Sequence, residues 1–203
     1  MASPGLSRRT FLGALPLTVL TTPSLARGLS LSASEPVSNQ GVQQPGLVGP
    51  FTPEEAAAVA ASPMARAIAD LMGQGYPCSE MMLLSALRRF GLPEDRLDAA
   101  AVFGGGIGKR DLCGFLTGGL MAIGVAAGQK YADRNLVHQT GRRASNAYWD
   151  WWSSRADLHC MAPGTTHENS EQFVRMAQRT ALKLEGVMGV LMEGGFEVSG
   201  TSG

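Results

Sequence analysis

Residues 103–128 read FGGGIGKRDLCGFLTGGLMAIGVAAG, and this stretch decides the fold. Gly104, Gly105, Gly106 and Gly108 open it with a loop that admits positive φ and close approach of another backbone, at an entropic cost that a plain linker has no reason to bear. From Leu112 onward, Gly114, Gly118, Ala122 and Ala126 recur every fourth residue, with Gly124 and Gly128 as a second small pair. A helix with that stripe carries almost no side chain on one face, so a neighbouring helix can lie close against it. The same pattern serves helix pairing in membranes. Here the apolar run falls short of the roughly twenty residues a span requires, contains Cys113 and Thr117, and is flanked by a glycine loop. The spacing predicts a buried central helix.

Working outward, the other segments also carry helix signals. Thr52-Pro53-Glu54-Glu55 supplies an N-cap, a proline at the first helical position and an acid at the third. Ser62-Pro63 repeats the signal ahead of Met64, Ala67, Ile68, Leu71 and Met72, whose i, i+3, i+4 spacing gives one apolar face ending at Gly73 or Gly75. Tyr76-Pro77-Cys78-Ser79-Glu80 opens a third helix with proline at its first position, which runs to Gly91. Residues 93–102 predict a short helix feeding the glycine loop. Residues 135–157 have helical composition and carry Tyr148, Trp149, Trp151 and Trp152 on more than one face. After a break at 158–164, Asn169 or Ser170 caps a last helix over Phe173, Met176, Leu184, Val187, Leu191 and Met192. No stretch alternates with strand period, so the expectation is an all-α bundle, compact around the central Gly/Ala-rich helix, with connections short enough for antiparallel neighbours.

The ends read differently. Residues 1–26 have a polar start, Ser7-Arg8-Arg9-Thr10-Phe11-Leu12, an apolar stretch and Ser24-Leu25-Ala26 as a cleavage site; the twin arginine predicts a Tat-type signal peptide, hence the Tat translocase as a partner during export and the periplasm as destination. Residues 27–50, rich in Ser, Gln, Gly and Pro, are expected to be a disordered linker, residues 51–193 the folded domain, and residues 194–203 a flexible tail. The chain has 17 Lys+Arg and 17 Asp+Glu, and loss of the leader leaves 15 against 17. That balance excludes a nucleic-acid or polyanion binder. No membrane span is expected in the mature form.

Three cysteines, Cys78, Cys113 and Cys160, lie 35 and 47 residues apart, so no C-x-x-C ribbon or haem-attachment motif exists and any shared site must be assembled by folding. Asp111 as N-cap would place Cys113 in the first turn of the central helix, where free N–H groups favour a thiolate, and Lys109 and Arg110 add positive charge; Cys113 is therefore expected to be the most reactive thiol. Cys78 also falls at a helix start. His159 and Met161 flank Cys160 with donors that suit copper, zinc or iron. Cys78, Cys113, Cys160 and His159 are the candidate metal set, Cys78 and Cys113 the candidate catalytic thiols, and Gly104, Gly105, Gly106, Lys109 and Arg110 the candidate cofactor-binding loop. A phosphate loop is excluded, because it needs glycine where Phe103 stands and Ser or Thr where Arg110 stands.

The segments 75–80, 103–108 and 113–124 together resemble the C_GCAxxG_C_C family of redox-active proteins, over roughly residues 60–190. Cys78 answers to the early cysteine, Cys113 to the second and Cys160 to the third. Phe115 replaces a small alanine of the pattern, and no fourth cysteine stands near residues 168–170, which counts against a four-thiolate cluster. The resemblance implies a redox role for the cysteine site, as a thiol/disulfide pair or as a holder of a soft transition metal or iron–sulfur cluster, with a redox partner protein. The alternative from another class is a non-catalytic accessory subunit that binds an exported redox enzyme through its aromatic segment, residues 148–152.

Overall fold

In a computed structural model of the chain, residues 46–160 and 170–197 are described here, all within the unit Gln40–Gly203. The leader, most of the linker, Met161, His167 and the expected cap at Asn169 lie outside these residues. Among the described residues six α-helices carry the fold: α1 (Pro53–Ala61), α2 (Pro63–Gly73), α3 (Cys78–Arg89), α4 (Gly114–Lys130), α5 (Arg134–Ser153) and α6 (Ser170–Glu193), with a 3-10 segment at Glu94–Ala100 and a π turn at Gly106–Arg110. Among the described residues the sole β feature is an isolated antiparallel bridge between Leu112 and His159. The expected all-α class holds.

Local chemistry sets most boundaries. Thr52 and Glu55 form a capping box on α1, and the Ser62 side chain accepts from the Ala65 N–H to start α2. Asp133 caps α5 through the N–H groups of Asn135 and Leu136. Gly75, Gly91 and Gly194 leave their helices with positive φ. Two starts differ from expectation. Pro77 is the N-cap of α3, not its first helical residue, which makes Cys78 that residue. Cys113 is itself the N-cap of α4, with Asp111 drawn away into the bridge with residues 158–160.

The helix α4 is central as predicted. Its Phe115, Leu116, Ala122, Ile123, Ala126 and Ala127 are buried, and α3, α5 and α6 all pack on it. α3 is buried on almost every side from Ser79 to Leu87, and each fully buried leucine there contributes about 2 kcal/mol of transfer free energy. Of the two small-residue pairs, only one is used. A Cβ at Gly118 would lie 2.9 Å from both Cα and the carbonyl carbon of Ser79, whereas Gly124 and Gly128 face open space. The α3–α4 contact is therefore closest at the ends that carry Cys78 and Cys113.

Polar ties brace the bundle. Glu185 on α6 accepts from the Ser62 hydroxyl and from the Arg89 guanidinium, joining the starts and ends of three helices. Lys130 donates to the Leu191 and Met192 carbonyls, 3.0 and 2.9 Å, at the free end of α6. The domain is wider than residues 51–193. Leu47 is buried, and Arg179 donates to the carbonyls of Leu47, Gly49 and Pro50, so the end of the expected linker is strapped to α6. At the other end, Phe196 and Glu197 accept from Arg143 and Tyr131, so residues 194–197 are packed instead of frayed.

Candidate functional site

The site lies where α3 and α4 begin. Gly114 has no side chain, and a Cβ there would collide with the Cys78 sulfur and sit 3.0 Å from the Ser79 N–H nitrogen. The first residue of α3 thus rests directly on the first turn of α4. Ser79 completes the junction by donating its hydroxyl to the Ala100 carbonyl, 2.9 Å. Gly104 makes the same kind of approach, since its Cβ would lie 2.6 Å from Pro77 Cβ.

The glycine loop then turns through a run of left-handed residues. Gly105, Gly106, Ile107, Gly108 and Arg110 all have φ between 57° and 63°. For Ile107, β-branched, this is an unusual conformation that costs on the order of 1–3 kcal/mol. The Asp111 N–H closes the turn on the Gly106 carbonyl, 3.0 Å. Residues 158–160 return antiparallel to it: Cys113 N–H donates to the Leu158 carbonyl (2.8 Å) and Cys160 N–H to the Asp111 carbonyl (2.7 Å). Trp152 holds that return by donating its indole N–H to the Asp157 carbonyl. A Cβ at Gly106 would lie 2.7 Å from Cys160 Cβ, so this glycine admits the third cysteine to the cluster.

Folding thus assembles three cysteines from well-separated positions, all free thiols. Each feels its neighbours: the charges of Cys78 and Cys160 both push the Cys113 thiol up, and Cys78 pushes Cys160 up. Cys113 is 4% exposed, while Cys78 and Cys160 are half-buried.

The electrostatics of Cys113 correct the sequence reading. Burial, before anything else, pushes its thiol up to about 12; the backbone N–H groups of Phe115 and Leu116, at the positions that face an N-cap side chain, pull the other way and lose. Arg110 lowers Cys160 instead, and there too burial prevails and the thiol is raised. Cys113 is a protonated thiol at neutral pH, not an activated one.

The remaining candidates fare unevenly. Gly104 and Gly106 are used for close chain approach, Gly105 for its backbone angle, and Lys109 and Arg110 are exposed on the turn. His159 is held by Asp157, whose Oδ1 lies 3.0 Å from Nδ1, and faces Asp111 Oδ1 at 3.6 Å from Nε2. Among the described residues no three His, Cys, Asp or Glu side chains are arranged to hold a metal ion. The three cysteines come together at the start of α4, and His159 beside them is turned to Asp157 and Asp111. In the aromatic segment Tyr148 and Trp152 are fully buried, while Trp149 and Trp151 are half-buried. Tyr148 was missed as a site residue. Its hydroxyl donates to the Phe115 carbonyl (2.9 Å), its ring fills the space left by Gly119, and its pKa is raised by burial and by Cys113. Only its place among the aromatics signalled a role in packing.

No helix among the described residues is long and apolar enough to cross a membrane. No curated protein and no solved structure matches the chain. Residues 76–186 match the family described as "Putative redox-active protein (C_GCAxxG_C_C)". That match covers more than half of the 203-residue chain and all three cysteines, and the protein belongs to the C_GCAxxG_C_C family.

Proposed function

We propose that this is an exported thiol/disulfide redox protein in which Cys78 and Cys113 form the exchanging pair and Cys160 stands beside them. The observation that carries the reading is the seating of the Cys78 sulfur on Gly114, next to Cys113. Cys78, half-buried at the first residue of α3, is the thiol that meets a partner. Its thiolate attacks one sulfur of a partner disulfide, forming a mixed disulfide and releasing the partner's other sulfur as a thiolate. That thiolate takes up the Cys113 proton. The Cys113 sulfur then attacks Cys78, forming the intramolecular disulfide and releasing the partner's second sulfur as a thiolate, which takes up from solvent the proton that Cys78 gave up on ionising. Two electrons and two protons pass from the protein's dithiol to the partner disulfide, and the reverse sequence re-reduces it. Burial of Cys113 supports this order, since a thiol raised to about 12 is a poor initiator.

Equilibration with glutathione redox buffers, followed by acid quenching and peptide mapping, tests the reading. The expected product is a Cys78–Cys113 disulfide formed in one two-electron step. A protein that keeps three thiols across the whole range, or that purifies with stoichiometric metal, contradicts it. Export rests on residues 7–12 and the apolar stretch after them. Replacing Arg8 and Arg9 by lysine should leave unprocessed precursor in the cytoplasm; normal processing of that variant would remove the Tat assignment.

A further inference from the structure

Away from the cysteines, α1, the end of α5, α6 and the strap at 46–50 line a half-open pocket of about 360 Å³, within the range of small-molecule sites. Leu47, Val59, Trp151 and Leu182 supply an apolar lining. The charged lining is unbalanced. Glu55 and Arg179 neutralise each other in a two-pronged pair, Nε to Oε1 at 3.1 Å and a terminal nitrogen to Oε2 at 2.7 Å. Arg179 is 7% exposed and uses its remaining N–H groups on the strap carbonyls. Arg155 and Lys183 remain. Both are half-buried, both line the cavity, and neither meets a carboxylate within ion-pair distance among the described residues. Arg155 lies over the Trp151 ring at 5.2 Å and donates to the Trp151 carbonyl and the Ser154 hydroxyl, which holds the guanidinium at the rim. Burial pulls that guanidinium below its ordinary value, and the Glu55 charge opposes the pull.

We infer that this cavity binds a small organic anion, a carboxylate carried on an apolar body, with the head between Arg155 and Lys183 and the body against Leu47, Val59 and Trp151. Two half-buried cations over an apolar pocket fit an amphiphile better than an inorganic ion, which would leave the lining wet, or a neutral apolar molecule, which would leave the cations unpaired. The site is independent of the cysteine chemistry, since no cysteine lines it.

The probe is hexanoate, with acetate and 1-hexanol as controls, titrated into the reduced mature protein while the three tryptophan indole N–H signals are followed by NMR. The expected result is a saturable shift of the Trp151 signal with hexanoate, and binding at least several-fold weaker for acetate and for hexanol. Lys183→Gln and Arg155→Gln should each weaken hexanoate binding by about fivefold, with far-UV circular dichroism unchanged. Among the described residues Lys183 holds no partner whose loss would unfold the chain, so its variant keeps the test open if Arg155→Gln misfolds. Absence of saturation at tens of millimolar, equal binding of hexanol, or unchanged binding in Lys183→Gln overturns the inference.

Discussion

Two alanines placed in the same helix should act with opposite sign. Gly118→Ala puts a methyl group 2.9 Å from the Cα and carbonyl carbon of Ser79 and into its carbonyl oxygen. Those atoms are backbone at the start of α3, so no side chain can rotate aside. Relief requires α3 and α4 to part by about 1 Å before ordinary van der Waals contact returns. Overpacking of this kind costs about 1–3 kcal/mol, and at a backbone contact the upper part of that range applies. Alanine also gains about 1 kcal/mol over glycine in a helix interior, which offsets part of the cost. The net expectation is a loss of about 1–2 kcal/mol, or a fall of about 2–8 °C in Tm for a chain of this length. Gly124→Ala meets nothing within 4 Å, so it keeps only the propensity gain and should stabilise by about 0.5–1 kcal/mol. Urea and thermal melts of the two variants beside the wild type read both values. The Gly118 variant should in addition loosen Cys78 from Gly114 and speed its alkylation. If Gly118→Ala proves as stable as Gly124→Ala, the close α3–α4 contact on which the cysteine site depends is wrong.

Alkylation of the reduced protein near neutral pH, followed by mass spectrometry of each cysteine, should find Cys113 slowest, because it is protonated and 4% exposed; fastest reaction at Cys113 refutes its burial. The same raised pKa links to stability: below about pH 9 the thiol is protonated in both folded and unfolded chains, and as pH climbs toward 12 only the unfolded chain releases the proton, so stability falls. Cys113→Ala should flatten that alkaline loss relative to wild type. Arg179→Leu removes the strap anchor and strands Glu55, and should cost about 2 kcal/mol and expose residues 46–50 to protease. Because Arg179 holds the Glu55 carboxyl below its ordinary range, its contribution is present above that range and lost as pH falls through the lowered value; the variant should show a shallower acid slope.

What the sequence made legible is local. The capping box at Thr52–Glu55 and the Ser62-Pro63 start work through atoms within four residues, and both stand in the structure. The four-residue repeat of Gly114 and Gly118 marked a helix that another would approach, because the period alone puts them on one face. It could not tell that pair from Gly124 and Gly128, since the choice depends on where α3 crosses α4. Cys113 shows the same boundary at the site. Neighbouring Lys109 and Arg110 suggested a lowered thiol pKa, but the depth of the α4 start decides the sign. Cys160 joined the cluster through the bridge to residues 111–113, a pairing across 47 residues that no local signal carries.

The most direct test of the exchanging pair is reaction with 5,5′-dithiobis(2-nitrobenzoate) in a Cys160→Ser background, with and without Cys113→Ser. With Cys113 present, attack by Cys78 should release one thionitrobenzoate, and closure of the Cys78–Cys113 disulfide a second, leaving no adduct by mass. With Cys113→Ser, one should be released and the adduct should persist on Cys78. A stable adduct on Cys78 in the protein that retains Cys113 would contradict the account.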